Sequence, residues 1–396
     1  MDREALRKIC RQIGSPSYVF DLDAVRERTE LIRSRLDHKT EFCYAMKANP
    51  FIALFMSTVA DRLEVCSPGE YEICLAEGID PGMIVVSGVN KTKESMERIV
   101  TAAAGRGVYT IESMQHYEIL ESCARKHGFA LQVDIRLSSG NQFGVDRTVW
   151  KQIARNVMSS DVLTLRGLHY YSGTQKKISK IAKELKALSD FAEELREELG
   201  IEGLELEYGP GLQVSYFEGE EEISPMEQLD ALKELLRELE GFRGVVLEMG
   251  RFLASMCGYY MTEVVDVKCT EGEYFAILDG GIHQINYFGQ MMGMKHPFID
   301  TTDTNGRELA GESVKYNLCG SLCTTNDVLT RQIELPQLSV GDRLIFARCG
   351  AYSVTEGMAL FLSRELPQVY LCEKQQLELV RPMMRTDIWN SKMKGE

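Results

Sequence analysis

A single lysine, Lys47, stands near the end of the apolar, aromatic-rich segment EFCYAMKAN, residues 41–49. Most lysines chosen at random snorkel to water or pair with an acid. A lysine that forms a Schiff base with a carbonyl group instead needs an apolar setting, because such a setting lowers the lysine pKa and leaves a neutral amine. Alone, this segment favours the ordinary interpretation, and the choice depends on the residues at the other strand ends.

Three further segments carry polar or small residues where predicted strands end. YGPGLQVSY has Gly209 and Gly211, which would let backbone N–H groups approach an anion, although a plain turn explains them equally well. LEMGR carries Glu248 and Arg251. HYYSGTQ supplies a histidine, an aromatic ring and small donors, namely His169, Tyr171, Ser172, Gly173 and Thr174.

These residue types together match one ligand. A buried carboxylate such as Glu248 is costly unless a cation or proton donor meets it, and a protonated pyridine nitrogen would do so. A phosphate would satisfy Arg251. A reactive lysine, a phosphate cradle, a carboxylate for a pyridinium and an aromatic plate therefore predict pyridoxal phosphate, with Lys47 as its covalent anchor.

The elements that position these residues alternate between β-rich runs and amphipathic helical stretches from residue 25 to 255. One helical stretch repeats its apolar residues on one face from Ile178 to Leu199 and ends at Gly200. Eight strands, each followed by a helix, predict a (β/α)8 barrel, in which the chemistry lies where strands end. The predicted strands cover residues 41–49, 62–68, 82–88, 107–113, 130–137, 163–173, 203–211 and 244–251.

The pattern changes after residue 255. Alternating or apolar β runs joined by turn signals such as EGE and VGD predict an antiparallel β-domain over residues 256–396, of a Greek-key barrel or sandwich type. We expect the first 24 residues, which include PSYVFDLDAV, to add a strand to this domain.

Composition narrows the function. The 396 residues carry a net charge of -14, which would repel a nucleic-acid backbone. No apolar run is long enough to span a bilayer, and the N-terminus lacks the apolar core of a signal peptide. Eleven scattered cysteines indicate reduced thiols in a cytoplasmic protein. Six histidines and the lack of a C-x-x-C pair argue against zinc, so we expect no metal.

The chain resembles the fold-type III pyridoxal-phosphate decarboxylases, which include diaminopimelate and ornithine decarboxylases, with alanine racemase as a more distant relative. The resemblance covers nearly the whole chain. It rests on eight segments in family order: YAMKAN, EVCSPGEY, GLHYYSGTQ, EYGPGL, EMGR, DGG, CGSLCTTNDVL and GDRLIFARCGAY.

The resemblance implies roles for individual residues. Lys47 would anchor the cofactor, Glu248 would pair with the pyridine nitrogen, and Gly209, Gly211, Gly250, Arg251 and Tyr352 would surround the phosphate. Cys323 would be supplied across a homodimer interface and would protonate the carbanion that decarboxylation leaves, whereas we expect Cys319 to pack in the interior. His169 matches the first histidine of the family's H-x-H pattern, and Tyr171 replaces the second, which usually stacks on the cofactor.

Two departures from the family concern the substrate. Thr324 replaces the acidic residue that follows the cysteine and binds a distal ammonium, and the arginine that diaminopimelate decarboxylases carry after DGG is missing. These features resemble a subgroup that decarboxylates citryl-linked amino acids in siderophore assembly or carrier-linked glutamate in antibiotic assembly. His283, Gln284 and Asn286 could contact the distal group, although a solvated loop explains them equally well.

Three alternatives stay open at this point. The protein could be a diaminopimelate decarboxylase with altered recognition, or a racemase of the same fold type. It could also be a non-catalytic pyridoxal-phosphate-binding protein, although such proteins normally lack a second domain.

Overall fold

The computed structural model describes residues 1–37 and 39–392, so His38 and residues 393–396 of the predicted domains lie outside the described part. It divides into two compact units. The barrel domain comprises Arg28–Val214 and Ile223–Leu253, and the β-domain comprises Met1–Glu27, Ser215–Glu222 and the chain from Ala254 onward.

Eight parallel strands close into the barrel, which confirms the predicted fold. Each observed strand overlaps one predicted segment. The strands are β2 (Thr40–Ala45), β3 (Arg62–Val65), β4 (Ile84–Val86), β5 (Val108–Ile111), β6 (Leu131–Arg136), β7 (Leu163–Tyr171), β8 (Leu204–Gly209) and β9 (Phe242–Met249).

Helices follow the strands and have the end signals that their sequences predict. Side chains of Ser67, Thr92 and Ser113 accept backbone N–H bonds at three helix starts, as capping residues do. Gly200 ends the predicted helix in a left-handed conformation with φ 63°. The helices are α2 (Leu22–Arg35), α3 (Ala53–Met56), α4 (Pro68–Ala76), α5 (Lys93–Ala102), α6 (Met114–His127), α7 (Arg147–Met158), α8 (Ile178–Leu199), α9 (Pro225–Arg237) and α10 (Arg251–Ala254).

The barrel interior is only partly apolar. Cys43, Val85, Val108 and Val246 form a buried cluster from four different strands. Other buried positions on the strands carry charges, namely Glu64, Asp134, Arg136, Arg166, Glu207 and Glu248. Buried charges need partners, so their arrangement decides what the barrel can bind.

The β-domain is a nine-stranded, mostly antiparallel sheet. Its strands are β1 (Ser17–Asp21), β10 (Gly258–Thr270), β11 (Glu273–Leu278), β12 (Ile299–Thr302), β13 (Ser313–Cys319), β14 (Val328–Pro336), β15 (Arg343–Phe346), β16 (Gln368–Glu373) and β17 (Gln376–Arg381), with helices α1 (Arg3–Gln12) and α11 (Asp387–Asn390) at its ends. The expected N-terminal strand is β1, which pairs with β10. The pairs β1–β16 and β11–β13 are parallel, so the sheet is not purely antiparallel as the sequence predicts. Neither pair is joined by a short hairpin, because β1 and β16 lie far apart in the chain and β12 lies between β11 and β13 in the sequence.

The segment Ser215–Glu222 belongs to the β-domain although it lies within the sequence of the barrel. Phe217 forms a β-bridge with Pro297, and the Glu218 N–H donates to the His296 carbonyl at 2.8 Å. No helix in the described residues is long and apolar enough to cross a membrane.

Candidate active site

Lys47 lies on a short helical turn, Met46–Ala48, that directly follows β2. Its Nζ is 2.6 Å from Glu64 Oε2, 3.3 Å from Glu248 Oε1 and 3.5 Å from Cys66 Sγ. The prediction of an apolar setting for this lysine is therefore wrong, because its amine lies between the buried carboxylates of Glu64 and Glu248. One third of the side chain is exposed (33%), so the amine stays within reach of a ligand.

His169, near the end of β7, holds the second oxygen of Glu248. The distance from His169 Nε2 to Glu248 Oε2 is 3.0 Å, and both side chains are buried. Burial acts to raise the pKa of Glu248, but the charge of Lys47 and the hydrogen bond with His169 hold it well below its usual range. An ionised carboxylate in this place can hold the proton of a pyridine nitrogen.

Behind this pair lies an ion cluster that sequence reasoning missed. Arg166 Nε donates to Asp134 Oδ1 at 2.9 Å, and Arg166 Nη2 donates to Glu207 Oε2 at 2.5 Å. The carboxylates of Asp134 and Glu207 have no exposure to solvent. The available signal was a charged residue inside an otherwise apolar strand, in LTLRGLHYY, ALQVDIRL, GLELEYGPG and, for Glu64, RLEVCSP.

The loops after β7 and β8 approach each other too closely for side chains. A Cβ added at Gly211 would lie 2.3 Å from the Gly173 carbonyl oxygen and 3.1 Å from Thr174 Cα, and Gly211 has φ +58°. A Cβ at Gly209 would lie 2.4 Å from the Tyr171 ring. Glycine is therefore required at both positions, and the two backbones form one narrow cradle.

Hydrogen bonds of Ser172 and Lys176 connect these two loops to α8. Ser172 Oγ donates to Glu184 of α8 at 2.5 Å, so the predicted contact of this hydroxyl with a cofactor stays a prediction. Lys176 Nζ donates to Glu184 at 2.7 Å and to the Gly209 carbonyl at 2.8 Å. Sequence reasoning missed Lys176, which is buried and reads as one of several lysines at the start of a helix.

Gly250 and Arg251 follow β9 at the same end of the barrel. A Cβ at Gly250 would lie 2.9 Å from the Ala48 Cβ and 3.3 Å from the Ala45 Cβ, so the chain after Glu248 passes close to the turn that carries Lys47. Arg251 begins α10. The charges of Glu248, Lys47 and Arg251 act on Tyr171, whose pKa burial raises, so the aromatic residue lies within this charged group.

Cys323 and Thr324 lie in the β-domain, in the loop between β13 and β14. The Cys323 thiol is exposed. Asp327 fixes this loop, since its buried carboxylate accepts the Leu322 N–H at 2.7 Å and, from the DGG loop, the Ile282 N–H at 2.9 Å. One carboxylate thus joins the two segments that hold most of the predicted substrate contacts.

The three predicted substrate contacts after DGG differ in their surroundings. Gln284 accepts from the Tyr260 hydroxyl at 2.6 Å and donates to the Glu365 carbonyl at 2.8 Å, so its observed bonds favour a structural role. Burial lowers the pKa of His283 to about 4, which leaves a neutral ring. Asn286 is half-buried, and its amide lies 3.5 Å from Glu356 Oε2.

Tyr352 lies in the β-domain, after β15. It is half-buried and has φ +68°, an uncommon conformation for a residue with a side chain. Its carbonyl accepts the N–H groups of Thr355 and Glu356, each at 3.0 Å. This tight turn fixes the backbone at the tyrosine, and its predicted contact with phosphate stays a prediction.

The barrel residues fit pyridoxal phosphate on three observations. An accessible amine lies against an ionised carboxylate, at Lys47 and Glu248. Two glycine-containing loops come together at the same end of the barrel, where their backbone N–H groups could meet a phosphate. The Nδ1 atom of His169 and the Oε1 atom of Glu207 are buried without a hydrogen-bond partner among the described residues, which leaves polar capacity in the site.

Fold and site together define a class, the pyridoxal-phosphate-dependent enzymes built on a (β/α)8 barrel. The sequence family described as "Pyridoxal-dependent decarboxylase, pyridoxal binding domain" matches residues 22–255. The chain belongs to this family of decarboxylases, and pyridoxal phosphate is its cofactor.

Several curated proteins align with nearly the whole chain. The L-glutamyl-[BtrI acyl-carrier protein] decarboxylase of Niallia circulans is 26% identical, over 96% of this chain and 94% of its own length. The 2-[(L-alanin-3-ylcarbamoyl)methyl]-2-hydroxybutanedioate decarboxylase of Staphylococcus aureus is 27% identical, over 91% of this chain and 95% of its own length. A diaminopimelate decarboxylase of Aquifex aeolicus is 25% identical, over 95% and 91%.

A solved structure of diaminopimelate decarboxylase from M. jannaschii, in complex with L-lysine, has the same fold. The TM-score is 0.84 at 22% sequence identity, and the alignment covers 96% of this chain and 92% of the other. Both domains are therefore present in the relative.

Proposed function

We propose that this decarboxylase removes the α-carboxylate of an L-amino acid unit that is joined to a larger group. The larger group is a citryl group or an acyl carrier protein, and the pathway is siderophore or antibiotic assembly. The names of the relatives from Niallia circulans and Staphylococcus aureus describe substrates of these two kinds and support the proposal.

One observation carries the substrate proposal. The loop that contains Cys323 has Thr324 at the place where the family resemblance implies an acidic residue in the diaminopimelate and ornithine enzymes. In this loop and the DGG loop, the carboxylates of Asp279 and Asp327 already accept structural bonds, for example from Thr262 Oγ1 at 2.7 Å and from Leu322 N at 2.7 Å. A buried ammonium without a counter-charge costs several kcal/mol. A free diamino acid would thus find no open carboxylate in these two loops.

The residues of the chain divide the work on the substrate. Pyridoxal phosphate, when bound, supplies the electron sink for the bond that releases carbon dioxide. Lys47 would hold the cofactor covalently, Glu248 would hold the proton of the pyridine nitrogen, and Gly209, Gly211 and Arg251 would bind the phosphate. Cys323 would then return a proton to the substrate's α-carbon, and an amine would be released.

We propose that the enzyme is a homodimer with shared active sites, in which Cys323 serves the barrel of the partner subunit. The exposed thiol is consistent with this role. The variants Lys47→Ala and Cys323→Ala should each be inactive, and a mixture of the two should regain activity through mixed dimers. Mixing two inactive preparations without any gain would refute the shared site.

Carbon dioxide release across a substrate panel tests the function. The panel contains meso-diaminopimelate, L-ornithine, a citryl-linked L-2,3-diaminopropionate and an L-glutamyl group on an acyl carrier protein. We expect release from one of the two conjugates, and Lys47→Ala should abolish it. A D-amino acid product without carbon dioxide would indicate a racemase, and inactivity on the whole panel would leave only cofactor binding.

Diaminopimelate decarboxylation is the second candidate. Relatives of that name align over nearly the whole chain, including those of Aquifex aeolicus and of Helicobacter pylori at 25% identity each. Release of L-lysine from meso-diaminopimelate, at a rate that exceeds release from both conjugates, would establish this function.

A further inference from the structure

The centre of the barrel holds more buried carboxylates than cations. Glu64, Asp134, Glu207 and Glu248 are at most 6% exposed. Arg166 and Lys47 are the cations that contact them. Such an excess of negative charge in a low-dielectric interior favours the uptake of a proton by one member of the group.

Two atoms of this group stand out because they lack partners. His169 Nδ1 and Glu207 Oε1 are buried and make no hydrogen bond to any described residue. The side chains of His169, Glu207 and Glu248 bring one ligand-type atom each within 4.8 Å of one another. An Nδ1–H group on His169 that donates to Glu207 Oε1 would satisfy both atoms, and buried polar atoms that stay without a hydrogen bond destabilise a folded protein.

Charged groups on three other strands of the barrel act on Glu207. Asp134 lies on β6, Arg166 and His169 lie on β7, and Glu248 lies on β9. The charge of Glu207 also acts on Cys43 of β2, and the buried Arg136 of β6 acts on His169, where it opposes the raised pKa of the imidazole. Burial raises the pKa of Glu207 to about 7, although Arg166 opposes this shift, so Glu207 exchanges its proton in the same range as a histidine.

We propose that Glu207 is a positioning residue that shares one proton with His169. His169 would then lie between two carboxylates, with Glu248 on Nε2 and Glu207 on Nδ1. The proton would move toward His169 when the charge beside Glu248 becomes more negative and toward Glu207 when that charge becomes more positive. Glu207 thereby keeps Glu248 ionised whether Lys47 is a free ammonium or is joined to the cofactor.

Glu205 provides a matched control on the same strand. Its carboxylate lies 3.2 Å from Arg166 Nη1, so it shares the arginine with Glu207. It is not part of the group that lies within 4.8 Å of His169. A variant at Glu205 therefore changes the charge around Arg166 without removing a partner of the histidine.

The test is a pH titration of the histidine Cε1 signals by ¹³C NMR on the full-length chain, first without cofactor and then with it. The His169 signal is assigned from His169→Gln. In Glu207→Gln, the His169 pKa should fall by about one unit, because a carboxylate within a few ångströms favours the charged imidazole. In Glu205→Gln the His169 pKa should stay within about 0.3 units of the wild-type value, a much smaller change than the fall expected in Glu207→Gln.

An unchanged His169 pKa in Glu207→Gln, or an equal fall in Glu205→Gln, would overturn the proposal. If Glu207→Gln fails to fold, the wild-type titration decides. Two coupled groups titrate in two macroscopic steps, so the His169 signal should move twice around neutral pH. A single step would overturn the proposal. None of these measurements depends on which substrate is decarboxylated.

Discussion

Removal of Arg166 should destabilise the barrel more than removal of any ordinary surface arginine. The Arg166 side chain is 3% exposed and its partners Asp134 and Glu207 are fully buried. Arg166→Met keeps most of the volume but leaves two buried carboxylates without their cation, which costs about 3–5 kcal/mol. Because Glu207 can take up a proton near neutral pH, we expect about 3 kcal/mol at pH 7, the lower end of that range.

Urea unfolding followed by tryptophan fluorescence measures this effect. The chain has two tryptophans, and Trp150 is fully buried in the barrel domain whereas Trp389 of the β-domain is 49% exposed. A Trp389→Phe background therefore reports on the barrel. With an m value of roughly 3 kcal/mol per molar urea, the midpoint should fall by about 1 M.

Arg98→Met is the control, since Arg98 pairs with Glu72 at the surface, where both side chains are more than half exposed. Its midpoint should shift by less than a third of that amount, as isolated surface pairs contribute little. Equal shifts in Arg166→Met and Arg98→Met would refute the reasoning. Adding Glu207→Gln to Arg166→Met should recover part of the loss, because one uncompensated charge is then gone.

Three further predictions concern the cradle, the substrate and pH. Gly211→Ala should weaken pyridoxal-phosphate binding at least about ten-fold in a fluorescence titration, whereas Gly203→Ala, which has the same left-handed backbone but open space, should not. Thr324→Glu should raise kcat/KM for L-ornithine by supplying a counter-charge, and the exposed Thr325→Glu should leave it unchanged. Because the pKa of Glu207 is raised to about 7, the folded chain binds one more proton than the unfolded chain between pH 5 and 7. The free energy of unfolding of the barrel should therefore fall by up to about 3 kcal/mol as the pH rises through this range, and it should fall less in Glu207→Gln. Urea midpoints that change equally with pH in the wild type and in Glu207→Gln would contradict this prediction.

The barrel could be predicted because its signals are local. Each strand is a short apolar run before a helix with a clear start or stop, such as Gly200 after α8. The inclusion of Ser215–Glu222 in the β-domain left no such signal, because it depends on pairing with residues near Pro297, about 80 positions away in the chain.

The candidate site could be predicted only where a residue type is diagnostic. Lys47, Glu248 and the glycines stood out at strand ends, and the structure places them around one barrel mouth. Other buried charges did not stand out, since Glu64, which contacts Lys47, and Arg166, which contacts Asp134 and Glu207, look like ordinary charged residues in the sequences of their strands. The expectation of an apolar lysine pocket failed because periodicity does not tell which strand positions face the interior of a closed barrel.

Asp327 links two loops of the β-domain, the DGG loop and the CGSLC loop, so that they have to be redesigned together. Its carboxylate closes on the DGG loop and on the CGSLC loop at once, and added Cβ atoms at Gly281 and Gly320 would lie 2.6 Å and 2.3 Å from it. Replacement of one loop alone, by a sequence without its glycine or its contact to Asp327, would disrupt these contacts. Redesign of specificity therefore has to exchange both loops together, with their glycines and Asp327 retained.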